Sequence, residues 1–518
     1  MDQNNKFNRI WDLAIILLLF FIAAAIRAIP EIIGGYWPIG YDTFNTYVPE
    51  LTKFNGDWLN WLLSANLLYF LIWPFQKFGQ IDTIILVKIF GSVIYGGLTA
   101  STYIFCRKFL QWNKLASFLV SVFLIFQIPA LRLSWDLLRN MLALIFFLPG
   151  LYFLKTNSTI RNIIILGILS ILIVLSNQLV AVVWFVVAIV WIIAQLLQKD
   201  WKNATRIVLA SLPAIGLFYL VARYTNANNF DGHLIYVSET NRVLGYFELY
   251  KSNAKYQDLN STIFSLFWLY YKFTLPLALI GFYLLRKNLI LTTLTTWLLV
   301  GSFSSLLFGG FGIFVWDRWM LMLVFPFTIY AVFALTQFND WVKKNKILQS
   351  AWQKKAYALI SFASVTLALS YSCWYVIPFL TANYDDSRAP FYDEKINSYF
   401  PPSMIHNAVG YEHIPAVLAN ISYLNDKLPR NAVLVVDNRY RGMVMTQLDL
   451  TNRIVYASPW SSKINTNLIN SLRENYLGPI YLIWSTYENV DGFKRIYYSQ
   501  SISVYRDKET FKQYLLNN

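Results

Sequence analysis

Apolar runs of near-membrane length recur from Trp11 to Pro378, and no other feature constrains this chain so tightly. Inside a bilayer no water reaches the backbone amides, so a crossing segment must satisfy its own hydrogen bonds as a helix. About 20 apolar residues span the hydrocarbon core. The runs at 11–29, 82–105, 115–130, 138–154, 160–176, 178–197, 207–222, 263–285, 289–308, 319–337 and 356–379 therefore predict about eleven transmembrane helices. Only 14% of the residues are charged, against roughly 25% in a soluble domain. Past residue 383 the pattern breaks. The expected fold is a polytopic α-helical membrane domain (1–382) followed by a small extracytoplasmic α/β domain (383–518).

Charge supplies orientation. A net charge of +15 would suggest nucleic acid in a soluble protein. Here the basic residues crowd short loops, such as Arg107, Lys108 and Lys114, or Lys343, Lys344 and Lys346. That is topology charge, so no nucleic-acid partner is expected. The dense loops should be cytoplasmic. The N-terminus is then inside, and the first run is a retained span without a clear cleavage site. The long loops, 30–81 and 223–262, fall outside together with the C-terminal domain. The segment 58–78 is apolar but short for a span and interrupted by Pro74, so it should lie along the outer interface.

Several function classes drop out. The cytoplasmic loops are too short to form a nucleotide site, and no Gly-rich phosphate loop is present. Two cysteines and three scattered histidines make neither a disulfide framework nor a zinc pattern. In the C-terminal part, 413–428 reads as a helix. Strands are expected at 431–437, 481–484 and 502–505.

Chemistry must then come from the outer loops. Asp42 stands in Gly40-Tyr-Asp-Thr-Phe-Asn-Thr-Tyr47, just after the first span. A carboxylate there can accept a proton or bind a metal; the ordinary alternative is a solvated loop acid. Asp136 begins the fourth run, where a helix dipole favours an acid and where Arg139 one turn on can pair with it. Its functional reading is that it faces the same cavity as Asp42. Arg318 follows Trp316-Asp317 at the outer edge of a span, and Arg27 ends the first one. A membrane-edge arginine either holds a phosphate or snorkels to headgroups. Glu239, in Val237-Ser-Glu-Thr240, is a further external acid. Lys88 and Lys272 lie inside spans, where a charge is expensive.

Taken together, these features resemble the GT-C glycosyltransferases, membrane enzymes that use polyprenyl-phosphate-linked sugars. Protein mannosyltransferases, lipid A aminoarabinose transferases and the catalytic subunit of oligosaccharyltransferase share this plan. The resemblance rests on Arg27 leading into Asp42, on interfacial helices before span two, and on Ser134-Trp-Asp-Leu-Leu-Arg-Asn140. Leu175-Ser-Asn-Gln-Leu-Val180, Trp316-Asp-Arg-Trp319 and the terminal outer domain are also similar. It implies an inverting transfer in which Asp42 is the catalytic base or holds the acceptor. Asp136 and Glu239 would position donor or metal, and Arg27, Arg318 and Arg139 would hold the lipid phosphate. It leaves open a divalent cation, Mg or Mn, at Asp42 and Asp136. The partners it implies are the polyprenyl-phosphate sugar, membrane lipid and a glycan, lipid or protein acceptor, all at a cell membrane. Two departures stand out. Asp42 is not followed by a second acid, and no Trp-Trp-Asp signature occurs in the outer domain, which disfavours asparagine-linked transfer. A lipid-linked glycan polymerase or ligase, a transporter or flippase, and a non-catalytic scaffold are the competing readings.

Overall fold

The computed structural model describes residues 3–33, 35–40, 42–52, 59, 67–156, 159–227, 234–236, 241–243, 247–249, 253–313, 315–345, 414–429, 431–437, 440–449, 454–458, 466–476, 478–485, 491–499 and 502–517, with scattered positions between 350 and 370. Glu239, the boundary expected near 382, and most of 53–66 lie outside the described residues.

Helix α1 (Gln3–Ile33) leads to a π-helical turn (Thr43–Tyr47) that continues as α2 (Val48–Thr52). There follow α3 (Leu67–Lys77), α4 (Thr83–Lys108), α5 (Lys114–Ile125), α6 (Ile128–Asp136), α7 (Leu138–Lys155), α8 (Ile160–Ser176), α9 (Gln178–Leu197) and α10 (Trp201–Ala227). Three short strands come next: β1 (Leu234–Tyr236), β2 (Asn241–Val243) and β3 (Phe247–Leu249). Then come α11 (Asn253–Tyr271), α12 (Leu275–Leu285), α13 (Leu289–Ser302), α14 (Ser304–Leu307), β4 (Phe311–Ile313), α15 (Trp316–Met322) and α16 (Val324–Asn345). The C-terminal part holds α17 (Ile414–Lys427), β5 (Val433–Asp437), α18 (Arg441–Gln447), β6 (Ile454–Ser458), α19 (Thr466–Asn475), β7 (Ile480–Ser485), β8 (Phe493–Ser499), β9 (Ile502–Asp507) and α20 (Lys508–Asn517).

This is a polytopic helical membrane fold with a small C-terminal sheet domain. Among the described residues, six helices are long and apolar enough to cross a bilayer: Ile10–Ile32, Thr83–Lys108, Leu138–Lys155, Gln178–Leu197, Trp201–Arg223 and Trp316–Thr336. Two bent pairs raise the number to eight. About eleven runs were expected; the six helices, the two bent pairs and the shorter apolar helices α8 and α13 coincide with ten of them, and the eleventh, 356–379, lies partly outside the described residues. Helix α5 breaks by 62° before α6, where Gln127 turns extended and Pro129 starts a new helix. Helix α11 bends by 86° into α12, and Pro276 opens the second piece. Helix α13 has 14 residues, short for a straight crossing, and α8, with 17, sits at the lower limit. Helix α3 has 11 residues, about half of what a span requires.

Small residues set the closest helix contacts, as bundles in lipid require. A Cβ at Gly281 of α12 would lie 2.0 Å from the Tyr330 carbonyl oxygen of α16. One at Gly301 would enter the Trp319 ring. Lys88 and Lys272 are both accounted for. Lys88 donates to the Gly35 carbonyl, and Lys272 lies over the Phe273 ring at the α11–α12 bend.

The soluble sheet runs β1-β6-β5-β7-β9-β8. Strands β6, β5 and β7 are parallel, while β9 and β8 add an antiparallel edge. Strand β5 reads as an unbroken apolar run because both of its faces are covered. Leu434 and Val436 enter one apolar cluster, and Val433 and Val435 enter another with Ile469 and Leu472. The opposite edge strand, β1, comes from the long loop 223–262 and pairs in parallel with β6. A second sheet, β2-β3-β4, ties the same loop to the segment before α15.

A buried ion pair joins the membrane helices to the first loop. Arg27 and Glu31 are 2.7 Å apart in α1 with almost no solvent exposure. The Arg27 Nε donates to the Ser134 carbonyl at 2.8 Å, and Glu31 accepts from the Ile39 amide at 3.1 Å. Removing one member of such a pair strands a charge, at a cost of about 3–5 kcal/mol. Arg27→Ala should therefore lower unfolding stability in detergent by that amount. The double variant Arg27→Met/Glu31→Gln should recover much of it. A single variant within about 1 kcal/mol of wild type would remove the pair from this role.

Candidate functional site

The first loop is seated on the end of helix α6. The last carbonyls of a helix have no partner within it. Here Thr43 donates its Oγ1 hydroxyl to the Trp135 carbonyl at 2.5 Å, and Tyr47 donates to the Asp136 carbonyl at 3.0 Å. Gly40 makes the close approach possible. Its φ is +93°, and a Cβ there would lie 2.0 Å from the Trp135 oxygen and 2.6 Å from Asp136 Oδ1. The π-helical turn that follows is a rare form found disproportionately at functional sites.

Asp42 enters this turn and pairs with Arg318 at 2.7 Å, both side chains keeping solvent contact. Arg318 belongs to α15, whose preceding residue, Val315, has φ +53°. A β-branched residue in the left-handed region is strained by roughly 1–3 kcal/mol, and such strain concentrates at functional sites. It turns the chain so that Arg318 meets Asp42 across 276 residues of sequence.

Three further arginines surround the pair. Arg132 bridges Asp136 and lies within electrostatic reach of Asp42, Asp317 and Arg318. Arg139 lies near Tyr47, Glu50 and Tyr69. Arg441 of the soluble domain reaches over the turn itself, donating to the Asn45 carbonyl at 2.5 Å and to Thr46 Oγ1 at 3.1 Å.

Glu50 is the second acid of the loop. It accepts a hydrogen bond from Tyr69 and keeps accessible surface. Loss of bulk water pushes its carboxyl above the ordinary range, opposed by the Tyr69 hydrogen bond and by Arg139 and Arg441. Burial, reinforced by the charge of Asp42, likewise raises the Tyr47 phenol.

The sequence expectations fare unevenly. Asp42, Asp136, Arg139 and Arg318 come together at one end of the bundle. Asp136 does not begin a helix, as was expected, but ends α6. A carboxylate at a helix C-terminus opposes the dipole, and Arg132 one turn back neutralises it. Arg139 belongs to the next helix and turns to the Ser176 carbonyl instead. Arg27, expected to hold a phosphate, is fully buried and committed to Glu31 and Ser134. It is a structural post, closed to a ligand. Asn177 caps α9 and donates to Asn140. Glu50, Tyr69, Arg132 and Arg441 were not singled out beforehand. A second acid eight residues after Asp42 was a usable signal for Glu50; Arg441 had none.

The acids do not form a cation site. Asp42 and Asp136 each carry an arginine. Among the described residues no group of three or more His, Cys, Asp or Glu side chains converges as metal ligands.

Two variants test this geometry. Gly40→Ala should cost more than about 1 kcal/mol and free the loop from α6, because neither the φ nor the space admits a methyl group. Unchanged melting with no new protease cleavage at 40–52 would contradict it. The Glu50 prediction concerns pH. Its folded-state pKa lies above the unfolded one, so the stability it contributes is complete below the unfolded value and is lost as pH rises through the folded one. Glu50→Gln carries no such proton. Its melting temperature should fall less than that of wild type as pH rises from about 4. Parallel curves would refute this reading.

No protein-family model matches the sequence. No curated protein matches it either. Among solved structures, the chain is similar to the crystal structure of ArnT from Cupriavidus metallidurans in the apo state. The identity is 12% and the TM-score 0.49, over 97% of this chain and 98% of that one. A likeness at that level carries no argument about chemistry.

Proposed function

We propose that this chain is a GT-C-type membrane glycosyltransferase. It would move a sugar from a polyprenyl-phosphate carrier to a glycan, lipid or protein acceptor at the outer face of a cell membrane. The observation that carries the proposal is the Asp42–Arg318 pair, half-open to solvent and set among further arginines at one end of the helical bundle.

The chemistry needs both signs of charge. An acceptor nucleophile loses its proton as it attacks the anomeric carbon, and a carboxylate beside it accepts that proton. The bond from the anomeric carbon to the phosphate oxygen breaks, and its electron pair leaves with the phosphate. Guanidinium groups stabilise that charge and match phosphate geometry. Arg318 can exchange Asp42 for the donor phosphate. Donor binding then frees the Asp42 carboxylate at the moment it is needed as a base. Attack from the face opposite the phosphate inverts the anomeric centre. Arg132 and Arg139 add positive charge around the site without binding the phosphate themselves.

The transporter reading is weaker. It expects ionisable groups at mid-membrane, whereas Lys88 and Lys272 serve a loop carbonyl and a helix bend. A polymerase or ligase would use the same pair of charges on a longer acceptor, and a donor panel separates it from single-sugar transfer.

The test is transfer from a panel of polyprenyl-phosphate sugars by the purified chain in lipid. A general base contributes about 10²–10⁴ in rate. Asp42→Asn should lower turnover by at least about 100-fold while the protein still melts cooperatively. Near-normal turnover in that variant would end the assignment.

A further inference from the structure

The soluble domain touches the Asp42 turn through the start of α18. Arg441 is 5% exposed. Its Nη2 donates to the Asn45 carbonyl and the Thr46 hydroxyl, and the Gly442 amide donates to Asn45 Oδ1 at 2.7 Å. We propose that Arg441 is a positioning residue of the transfer site, holding the Asp42 turn from the soluble domain so that the site is built by both parts of the chain. This rests on the transferase reading above.

The turn is gripped from two sides. Thr43 and Tyr47 fix it to the end of α6, and Asn45 and Thr46 fix it to α18. Between these grips a five-residue π-helical turn has little support of its own, because its hydrogen bonds are few and its geometry is uncommon. Loss of the upper grip leaves the turn held only on its α6 side and Asp42 itself to Arg318, the residue the donor phosphate must claim. The charge of Arg441 also reaches Glu50 on the following turn.

The sheet topology supports the same placement. Chain order runs β5, β6, β7, while spatial order is β6-β5-β7. The β5–β6 connection thus runs one way and the β6–β7 connection crosses back over β5 to its other side. Open α/β sheets hold ligands at the carboxyl ends of strands at such a point. Arg441 lies just past the carboxyl end of β5, so that end of the sheet abuts the Asp42 turn. An acceptor held there is delivered beside the base.

The experiment uses the full chain in nanodiscs with Arg441→Ala and Arg441→Lys. Amide exchange across 42–52 is expected to rise at least tenfold in Arg441→Ala, with α4 unchanged. In transfer assays kcat should fall at least tenfold while the donor KM stays within twofold, and Arg441→Lys should restore part of the rate. A simple docking contact would lower stability without that split. Should Arg441→Ala unfold the soluble domain, Asn45→Ala and Thr46→Val remove the same contacts from the loop side. Exchange across 42–52 at the wild-type rate, or a kcat equal to wild type, overturns the proposal. If wild-type protein transfers no sugar from any polyprenyl-phosphate donor, the transferase reading fails. The exchange measurement then still decides whether Arg441 holds the turn.

Discussion

The architecture of the end of the bundle that carries the site depends on one buried pair, Arg27 with Glu31. Two charges inside a helix bundle are costly to desolvate, and that cost is offset only when every group finds a partner. Here each charge also reaches out of α1. Arg27 takes the Ser134 carbonyl near the end of α6, and Glu31 takes the Ile39 amide ahead of the Asp42 turn. One pair therefore sets the distance between the first loop and the second. Without that spacing Gly40 would not meet Trp135, and Thr43 and Tyr47 would not reach their carbonyls.

The charges at the site are nearly balanced in pairs. Asp42 answers Arg318, and Asp136 answers Arg132. The two pairs differ in access. Arg132–Asp136 is closed in by packing, whereas Arg318–Asp42 retains solvent contact. A buried pair fixes geometry; an accessible one can be exchanged for a ligand. That division separates the groups that shape the cavity from those that can react in it.

Much of this was legible in the sequence, and the failures have specific causes. Apolar runs identified the membrane helices because hydrocarbon imposes length and composition on them. They did not reveal a break such as Gln127–Pro129 or a piece as short as α13. Asp42 and Arg318 stood out as charges at membrane edges. Arg27 stood out for the same reason and was misread, since edge position does not distinguish an open guanidinium from a sealed one. The choice between Arg132 and Arg139 as partner for Asp136 turned on where α6 ends. That boundary falls at Asp136 itself, so only Arg132 shares its helix. In the soluble domain, β5, β7 and β9 were readable from apolar runs. Strand β8, with its exposed polar positions, was not. The grip of Arg441 on Asn45 joins residues 396 apart, beyond any local pattern.

Strand β1 has a consequence for how this protein can be handled. It belongs to the loop 223–262, yet it completes the soluble sheet beside β6. A fragment beginning after the membrane helices would lack it and would present β6 as a bare edge. Unpaired edges of that kind recruit other strands and seed aggregation. The soluble domain is therefore not a separable module. It finishes folding only when a strand made some two hundred residues earlier is already waiting outside the membrane.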